Sequence, residues 1–284
     1  MRKALSMALV FLMVFGLVSF SWTGAVAAKG ANGHQNGKDK VKYDALSTSL
    51  GWIKGIREKD YSVYKGVRYA TAGRWEDAVP VTGWDGVYDA TEFGPTSWQY
   101  RGFYGVEGNA TDLFYWDEAA DHIPETFSED CLNLNIWVPK KAKKHKPVPV
   151  LVYIHGGSFV TGSASDMYID GAAYAENGVI LISVNYRLDA FSLIYGDGYQ
   201  GNYMLTDMIT ALTWIRDHIG DFGGDPGRIT IMGESAGATA VQDLLISPKA
   251  KGLVSGAVMM SGGGPLSEFL TPTTPDMVEP VWPR

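Results

Sequence analysis

The sequence predicts an α/β fold with a mostly parallel central sheet and helices on both faces. From about residue 148 onwards, short apolar runs alternate with segments in which apolar residues recur at helical spacing. That alternation is typical of parallel sheets whose strands are buried on both faces. Residues 42–99 contain more Gly, Trp and Tyr and no long helical pattern, so we expect antiparallel strands there.

The individual elements follow from local periodicity. Runs rich in Val and Ile predict strands. These strands are expected at 148–154, 179–186, 229–232 and 254–261. Apolar residues at every third or fourth position predict helices at 205–219 and 236–245, and Gly220 is expected to end the first of them.

Composition and charge exclude several classes of protein. The chain has 284 residues, 46% of them hydrophobic and 19% charged, which excludes a disordered or collagen-like protein. Its formal net charge of -7 argues against a phosphate-binding surface, so we expect no nucleic-acid partner. The Lys-rich stretch 140–146 is interpreted as a solvated connection. The sequence shows no metal-ligand cluster and no phosphate-binding loop, so we expect neither a metal nor a cofactor.

The first 28 residues carry the pattern of a secretory signal peptide. Two basic residues precede an apolar run over 4–20, and small residues lead to Ala27 and Ala28, where we expect cleavage. The alternative is an uncleaved membrane anchor, because the run is long for a signal peptide and slightly short for a full span. We therefore predict a secreted or cell-envelope protein, with no stable membrane partner unless this segment is retained.

The single cysteine predicts no intrachain disulfide. Cys131 lies in 129–138, which alternates like a half-buried strand. A packed thiol is therefore a better interpretation than a catalytic nucleophile.

The clearest chemical signal is the pentapeptide GESAG at 233–237. It follows a predicted strand and precedes a predicted helix, so a sharp turn there exposes the hydroxyl of Ser235. Gly233 and Gly237 leave space where a Cβ would collide with a neighbouring element, and Glu234 completes the turn. We predict that Ser235 is a nucleophile, the alternative being a structural turn.

A second motif, HGGS at 155–158, follows an earlier predicted strand and therefore lies at the same carboxyl edge of the sheet. Attack on a carbonyl creates an oxyanion that needs hydrogen-bond donors. We expect these donors to be the backbone N–H groups of Gly157, Ser158 and Ala236. His155 is interpreted as a structural residue rather than as the general base.

Seven segments together resemble one known family. They are YKGVRYA at 64–70, WDGV at 84–87, SEDCLNLNIWVP at 128–139, VNYRL at 184–188, ALTWIR at 211–216, FGGDP at 222–226 and GESAG at 233–237. In this order they resemble the type-B carboxylesterases, a family of α/β-hydrolases that includes cholinesterases, para-nitrobenzyl esterases and neuroligins. The resemblance implies an α/β-hydrolase fold, a small-molecule ester substrate and acyl transfer through an acyl-enzyme on Ser235.

The resemblance also implies an acid and then a histidine beyond the nucleophile. All five histidines precede Ser235, and no later acid lies in a recognisable family context. We therefore expect 43–284, after a flexible spacer at 29–42, to be the N-terminal portion of the family's domain with the C-terminal part missing, and to have little or no activity. The alternative is a non-catalytic, esterase-like binding or adhesion module, but the intact Ser235 favours an enzyme.

Overall fold

The computed structural model describes residues 41–99, 126–166, 168–194, 198–199 and 201–263. The chain divides into two units, Met1–Lys40 and Val41–Arg284, and all described residues belong to the second. The predicted signal peptide, its cleavage site and most of the predicted spacer lie outside the described residues.

The described residues contain eleven strands and three α-helices. The strands are β1 (Tyr43–Thr48), β2 (Gly51–Arg57), β3 (Tyr61–Arg68), β4 (Ala70–Thr71), β5 (Val79–Pro80), β6 (Val87–Asp89), β7 (Asn133–Pro139), β8 (Val148–Ile154), β9 (Ile180–Val184), β10 (Gly224–Glu234) and β11 (Gly256–Met260). The helices are α1 (Ala172–Glu176), α2 (Tyr203–His218) and α3 (Ala236–Ile246).

Nine of these strands form one mixed sheet in the described part of the chain. Its order is β1-β2-β3-β7-β9-β8-β10-β11, with β6 beside β2. The strands β8, β9, β10 and β11 run parallel, whereas β1, β2, β3 and β7 form antiparallel pairs. This arrangement confirms the predicted α/β class with antiparallel N-terminal strands. One exception is β6, which pairs with β2 in parallel.

The central strands are buried on both faces because their sequences are continuous runs of branched apolar residues. Val152, Ile180 and Ile182 are fully buried, and Val150 and Ile154 are nearly so. Alternating side chains point to opposite faces, so an apolar run without alternation needs a layer on each side. Burial on both sides fixes the register of β8 and β10, whose carboxyl ends carry the two predicted motifs.

Helix α2 ends at His218, within one residue of the predicted end before Gly220. A 3-10 turn at Ile219–Phe222 then leads to Gly223, whose φ of +80° favours glycine. A Cβ on Gly223 would lie 2.7 Å from the backbone nitrogen of Lys143. The chain therefore reverses where it meets the Lys-rich connection.

The expectation that 129–138 is half-buried is wrong. Strand β7 is buried on both faces, although its residues do alternate between polar and apolar. Its polar face meets other polar groups rather than water: Asn135 donates from Nδ2 to the Ser183 hydroxyl at 3.0 Å. Cys131, just before β7, is fully buried, and this burial raises the pKa of its thiol to about 12. A packed thiol fits that environment.

A buried ion pair joins the segment after β9 to helix α2. Arg187 donates from Nη2 to Oδ1 of Asp207 at 2.7 Å and from Nε to Oδ2 at 2.8 Å. The two side chains are only 4% and 0% exposed. Burial raises the pKa of Asp207, and the guanidinium opposes that shift. The two-pronged geometry satisfies both carboxylate oxygens, which a buried charge requires.

We expect Asp207→Asn to lower the free energy of unfolding by about 3–5 kcal/mol, because it leaves the buried guanidinium without a counter-charge. Urea denaturation of the purified chain measures this change. The matched control is Asp217→Asn in the exposed pair with Arg216, where we expect a change below about 1 kcal/mol. Equal effects of the two substitutions would contradict the assigned importance of the buried pair.

Candidate active site

Ser235 occupies a strained turn between β10 and α3. Its backbone has φ +55° and ψ -122°, a conformation that residues with a Cβ rarely adopt. Neighbouring elements hold it there: the Ser235 N–H donates to the carbonyl of Met260 in β11 at 2.8 Å, and the Ser235 carbonyl accepts the N–H of Ala238 at 2.9 Å. Strain at one residue persists when its surroundings determine its conformation in this way.

The two glycines that flank Ser235 lie where no side chain fits. A Cβ on Gly233 would lie 2.2 Å from the carbonyl oxygen of Gly237. A Cβ on Gly237 would lie 2.2 Å from the carbonyl oxygen of Ile154, the last residue of β8. Helix α3 therefore starts in direct backbone contact with both strands.

The hydroxyl of Ser235 is free of partners among the described residues. Serine before a helix commonly accepts a backbone N–H of the first turn. Ser235 stands at that position of α3, but its side chain makes no such bond. The half-buried Ser235 side chain is therefore available to a substrate and a base.

The loop after β8, residues 155–162, has an unusual backbone course. Gly157, Ser158 and Phe159 have φ values of +102°, +56° and +62° in succession. The loop approaches the nucleophile turn at Gly156, where a Cβ would lie 2.7 Å from the carbonyl oxygen of Glu234 and 3.2 Å from the Cβ of Ser235. The two predicted motifs thus meet at one edge of the sheet.

The predicted oxyanion donors are unoccupied within the described structure. The backbone N–H groups of Gly157, Ser158 and Ala236 donate to no described residue. Ala236 is buried, and buried backbone donors are almost always paired, so its N–H, which bonds no described residue, is a candidate donor to a bound oxygen atom. Gly157 is half-buried and Ser158 is exposed. Ala236 also begins helix α3, whose dipole places partial positive charge at this end.

Buried polar side chains that sequence reasoning missed hold the far end of this loop. The carbonyl of Ala164 accepts Nδ2 of Asn135 at 3.1 Å and the hydroxyl of Ser183 at 2.7 Å. Its N–H donates to Oδ1 of Asn185 at 2.8 Å. The available signal was the presence of Asn and Ser within or beside otherwise apolar strands.

His155 has a structural environment. Its side chain is 1% exposed, its ring stacks on Tyr186 with centroids 4.3 Å apart, and Nδ1 lies 2.8 Å from the carbonyl oxygen of Gly156. Burial lowers the pKa of His155, which favours the neutral ring. His155 makes no hydrogen bond to Ser235, in agreement with its interpretation as a structural residue.

No general base is identified among the described residues. The described histidines are His145, His155 and His218, and none hydrogen-bonds to Ser235. His218 instead contacts the hydroxyl of Ser49 at 3.0 Å. Burial raises the pKa of Asp243, which lies on α3. The other acids after the nucleophile, Glu268, Asp276 and Glu279, lie outside the described residues.

Three further observations concern the described part of the chain as a whole. In the described ranges, no group of three or more His, Cys, Asp or Glu side chains could hold a metal ion. None of the helices described is long and apolar enough to cross a membrane. A cavity of about 430 Å³ lies at the amino edge of the parallel strands, between Pro139 and Gly223, and contains none of the predicted site residues.

The comparison with protein families decides the assignment. The model of the Carboxylesterase family matches residues 42–278. The chain belongs to this family. The resemblance in the sequence motifs is therefore confirmed.

Named relatives of this carboxylesterase-family chain are esterases. Para-nitrobenzyl esterase of Bacillus subtilis is 36% identical over 231 residues, which are 78% of this chain and 44% of the relative. Liver carboxylesterase 1 of Oryctolagus cuniculus is 36% identical over 227 residues, which are 78% of this chain and 39% of the relative. The chain thus spans less than half the length of these relatives.

Solved structures show the same fold. A thermophilic PNB esterase matches with a TM-score of 0.68 and 34% identity, over 78% of this chain and 45% of the other. A carboxylesterase of Geobacillus stearothermophilus matches with a TM-score of 0.66 and 38% identity, over 78% of this chain and 44% of the other. The carboxylesterase-family chain therefore has the α/β-hydrolase fold, as predicted.

We expect Gly233→Ala to lower the free energy of unfolding by about 1–3 kcal/mol, because the new Cβ meets backbone atoms that cannot move away. Thermal and urea unfolding measure the loss. Gly220→Ala is the matched control: a Cβ there meets nothing within 4 Å, so stability stays equal or rises slightly. A Gly233→Ala protein as stable as the Gly220→Ala protein would contradict the described backbone contact.

The buried His155 should make the free energy of unfolding depend on pH. The pKa of His155 in the folded state is below that of the unfolded chain, about 6.5, so the unfolded state takes up the proton first as the pH falls. Its contribution to stability is therefore present above pH ~6.5 and is lost at lower pH, by at most about 1.4 kcal/mol per pH unit. The carboxylate of Asp166 opposes the shift.

Urea denaturation between pH 5 and 8 tests this dependence. His155→Phe keeps an aromatic ring against Tyr186 and removes the titration, so its stability falls less steeply below about pH 6.5 than that of the parent. His218→Asn is the control, because burial also lowers the pKa of His218. Parallel curves for the parent and His155→Phe would overturn the expectation.

Proposed function

We propose that this protein hydrolyses small-molecule carboxylic esters through an acyl-enzyme on Ser235. One observation carries the proposal: the unbonded Ser235 hydroxyl stands on a strained turn beside the unpaired N–H groups of the 155–162 loop. The activities for which relatives are named support ester hydrolysis as the class of reaction. These relatives include Fumonisin B1 esterase of Sphingopyxis macrogoltabida and Phenmedipham hydrolase of Pseudarthrobacter oxydans.

The proposed first step forms a bond between Oγ of Ser235 and the ester carbonyl carbon. A general base takes the hydroxyl proton, and the carbonyl π electrons move onto the oxygen atom. The N–H groups of Gly157, Ser158 and Ala236 hydrogen-bond to that oxyanion. When the tetrahedral intermediate collapses, the C–O bond to the alcohol breaks and the alcohol leaves with the proton.

The second step regenerates the free enzyme. Water attacks the acyl carbon, the base takes its proton, and Ser235 leaves with that proton as the free hydroxyl. The same three N–H groups stabilise the second oxyanion. Donors that are fixed before the reaction need no reorganisation, so each is typically worth about 3–4 kcal/mol in the transition state. The fixed backbone course of the loop supports this role.

We also propose that the protein is exported from the cytoplasm. The basic start, the apolar run over 4–20 and the small residues before position 28 support a secreted or cell-envelope enzyme. Ester hydrolysis needs only water as co-substrate, so the reaction does not depend on a cytoplasmic cofactor.

We expect Ser235→Ala to abolish acylation by p-nitrophenyl butyrate and any turnover that depends on it, because the attacking oxygen atom is removed. Intact-mass spectrometry after a short reaction with the ester should show the acyl adduct only on the parent protein. The control is Ser255→Ala, which removes an exposed hydroxyl before β11, at the opposite edge of the sheet. An equal adduct or equal turnover in the parent and Ser235→Ala would exclude Ser235 as the nucleophile, and a correctly folded parent that forms no adduct would contradict the proposed acyl-enzyme.

A further inference from the structure

The side chain of Gln99 clamps the loop that carries the predicted oxyanion donors. Its Oε1 accepts the hydroxyl of Thr161 at 2.7 Å and the N–H of Gly162 at 2.8 Å. Its Nε2 donates to the carbonyl of Gly162 at 2.9 Å and to that of Ser97 at 3.2 Å. A carboxamide has two acceptor sites and two donors, so these four bonds use its full capacity.

The clamped residues lie directly against Gly157. The N–H of Thr161 donates to the carbonyl of Gly157 at 3.0 Å, and a Cβ on Gly157 would lie 2.2 Å from the carbonyl oxygen of Thr161. On the other side, a Cβ on Gly162 would lie 2.4 Å from Nδ1 of His155. A Cβ on Gly162 would also lie 2.6 Å from the carbonyl oxygen of Gly156, so 161–162 packs against the backbone of both Gly156 and Gly157.

Gln99 is itself attached to fixed backbone. The hydroxyl of the buried Ser97 accepts the N–H of Leu188 at 3.1 Å. Leu188 directly follows Arg187, which pairs with Asp207 of α2. Thr96 exchanges backbone hydrogen bonds with Thr126 and Ser128 at 3.0 and 2.9 Å. The side chain of Gln99 thus joins the 155–162 loop to a segment that bonds both to 126–128 and to the residue after Arg187.

We propose that Gln99 is a positioning residue for the oxyanion hole: its carboxamide fixes 161–162 and thereby the direction of the Gly157 N–H. The inference rests on the proposed ester hydrolysis. Gln99 acts through the loop and touches no reacting atom. Since the value of an oxyanion donor depends on its orientation in the transition state, loss of the clamp lowers kcat more than it weakens substrate binding.

Steady-state kinetics on p-nitrophenyl butyrate test the proposal. Loss of one oxyanion donor costs about 10²–10³-fold in kcat, so a donor that is retained but loosened should cost about 10- to 100-fold. We expect that loss for Gln99→Leu, which removes all four bonds, and no recovery in Gln99→Glu, whose second carboxylate oxygen would face the carbonyls of Gly162 and Ser97 without a proton to donate. We expect KM to stay unchanged, because Gln99 acts on the loop rather than on the bound ester.

Substitutions of Thr161 separate positioning from general stability. Thr161→Val removes the hydroxyl at nearly equal volume and should lower kcat in the same direction, whereas Thr161→Ser should recover most of that loss. Because both side chains act through one contact, the loss in Gln99→Leu/Thr161→Val should be smaller than the product of the single losses. Ser255→Ala serves as the control for removal of a distant side-chain-to-backbone bond.

Three results would overturn the clamp. They are an unchanged kcat in Gln99→Leu, a loss expressed in KM alone, and independent losses in the double variant. Hydrogen–deuterium exchange gives a readout without turnover: peptides over 156–166 should exchange faster in Gln99→Leu than in the parent, and unchanged exchange also contradicts the clamp. A parent whose turnover survives Ser235→Ala refutes the proposed function instead, so the two failures are distinguishable.

Discussion

The candidate site depends on one constraint, the close approach of two backbone turns at the carboxyl edge of the sheet. The turn after β8 and the turn before α3 are so close that Gly156 and Gly237 leave no room for a Cβ. Only backbone atoms can approach each other so closely, so the groups that meet here are mainly N–H and C=O groups rather than side chains. Ser235 is the candidate nucleophile that this arrangement presents. The position of a site built from backbone groups is therefore determined by glycines, which have no side chain.

This explains which parts were predictable from sequence. Glycines that a close approach requires are visible as a pattern, and continuous Val and Ile runs predict central strands, so both motifs and the parallel strands could be located. The left-handed conformation of Gly223, after the 3-10 turn that follows α2, lies against the backbone of Lys143, which is far away in sequence, and such a contact has no local sequence pattern. The burial of the polar face of β7 depends on the loop that covers it. Gln99 is a single polar residue in a segment without periodicity, and its loop partners lie more than 60 residues away.

Apolar and polar contacts have different roles in this fold. The branched side chains of the central strands provide burial, which stabilises the sheet but has little directionality. The orientation of the loop after β8 comes from directional contacts instead: the side chains of Gln99, Asn135 and Asn185 each bond a specified backbone group. Because buried polar groups are costly when unpaired, such contacts favour one loop conformation over its alternatives.

The hydrogen bond from the N–H of Ser235 to Met260 has a consequence for biosynthesis. Met260 belongs to β11, a strand that leaves the ribosome after the nucleophile and after the whole of α3. Until β11 has been translated and has paired with β10, the strained turn lacks one of the contacts that hold it. The strained conformation of the serine therefore has all of its described contacts only after β11 has paired with β10.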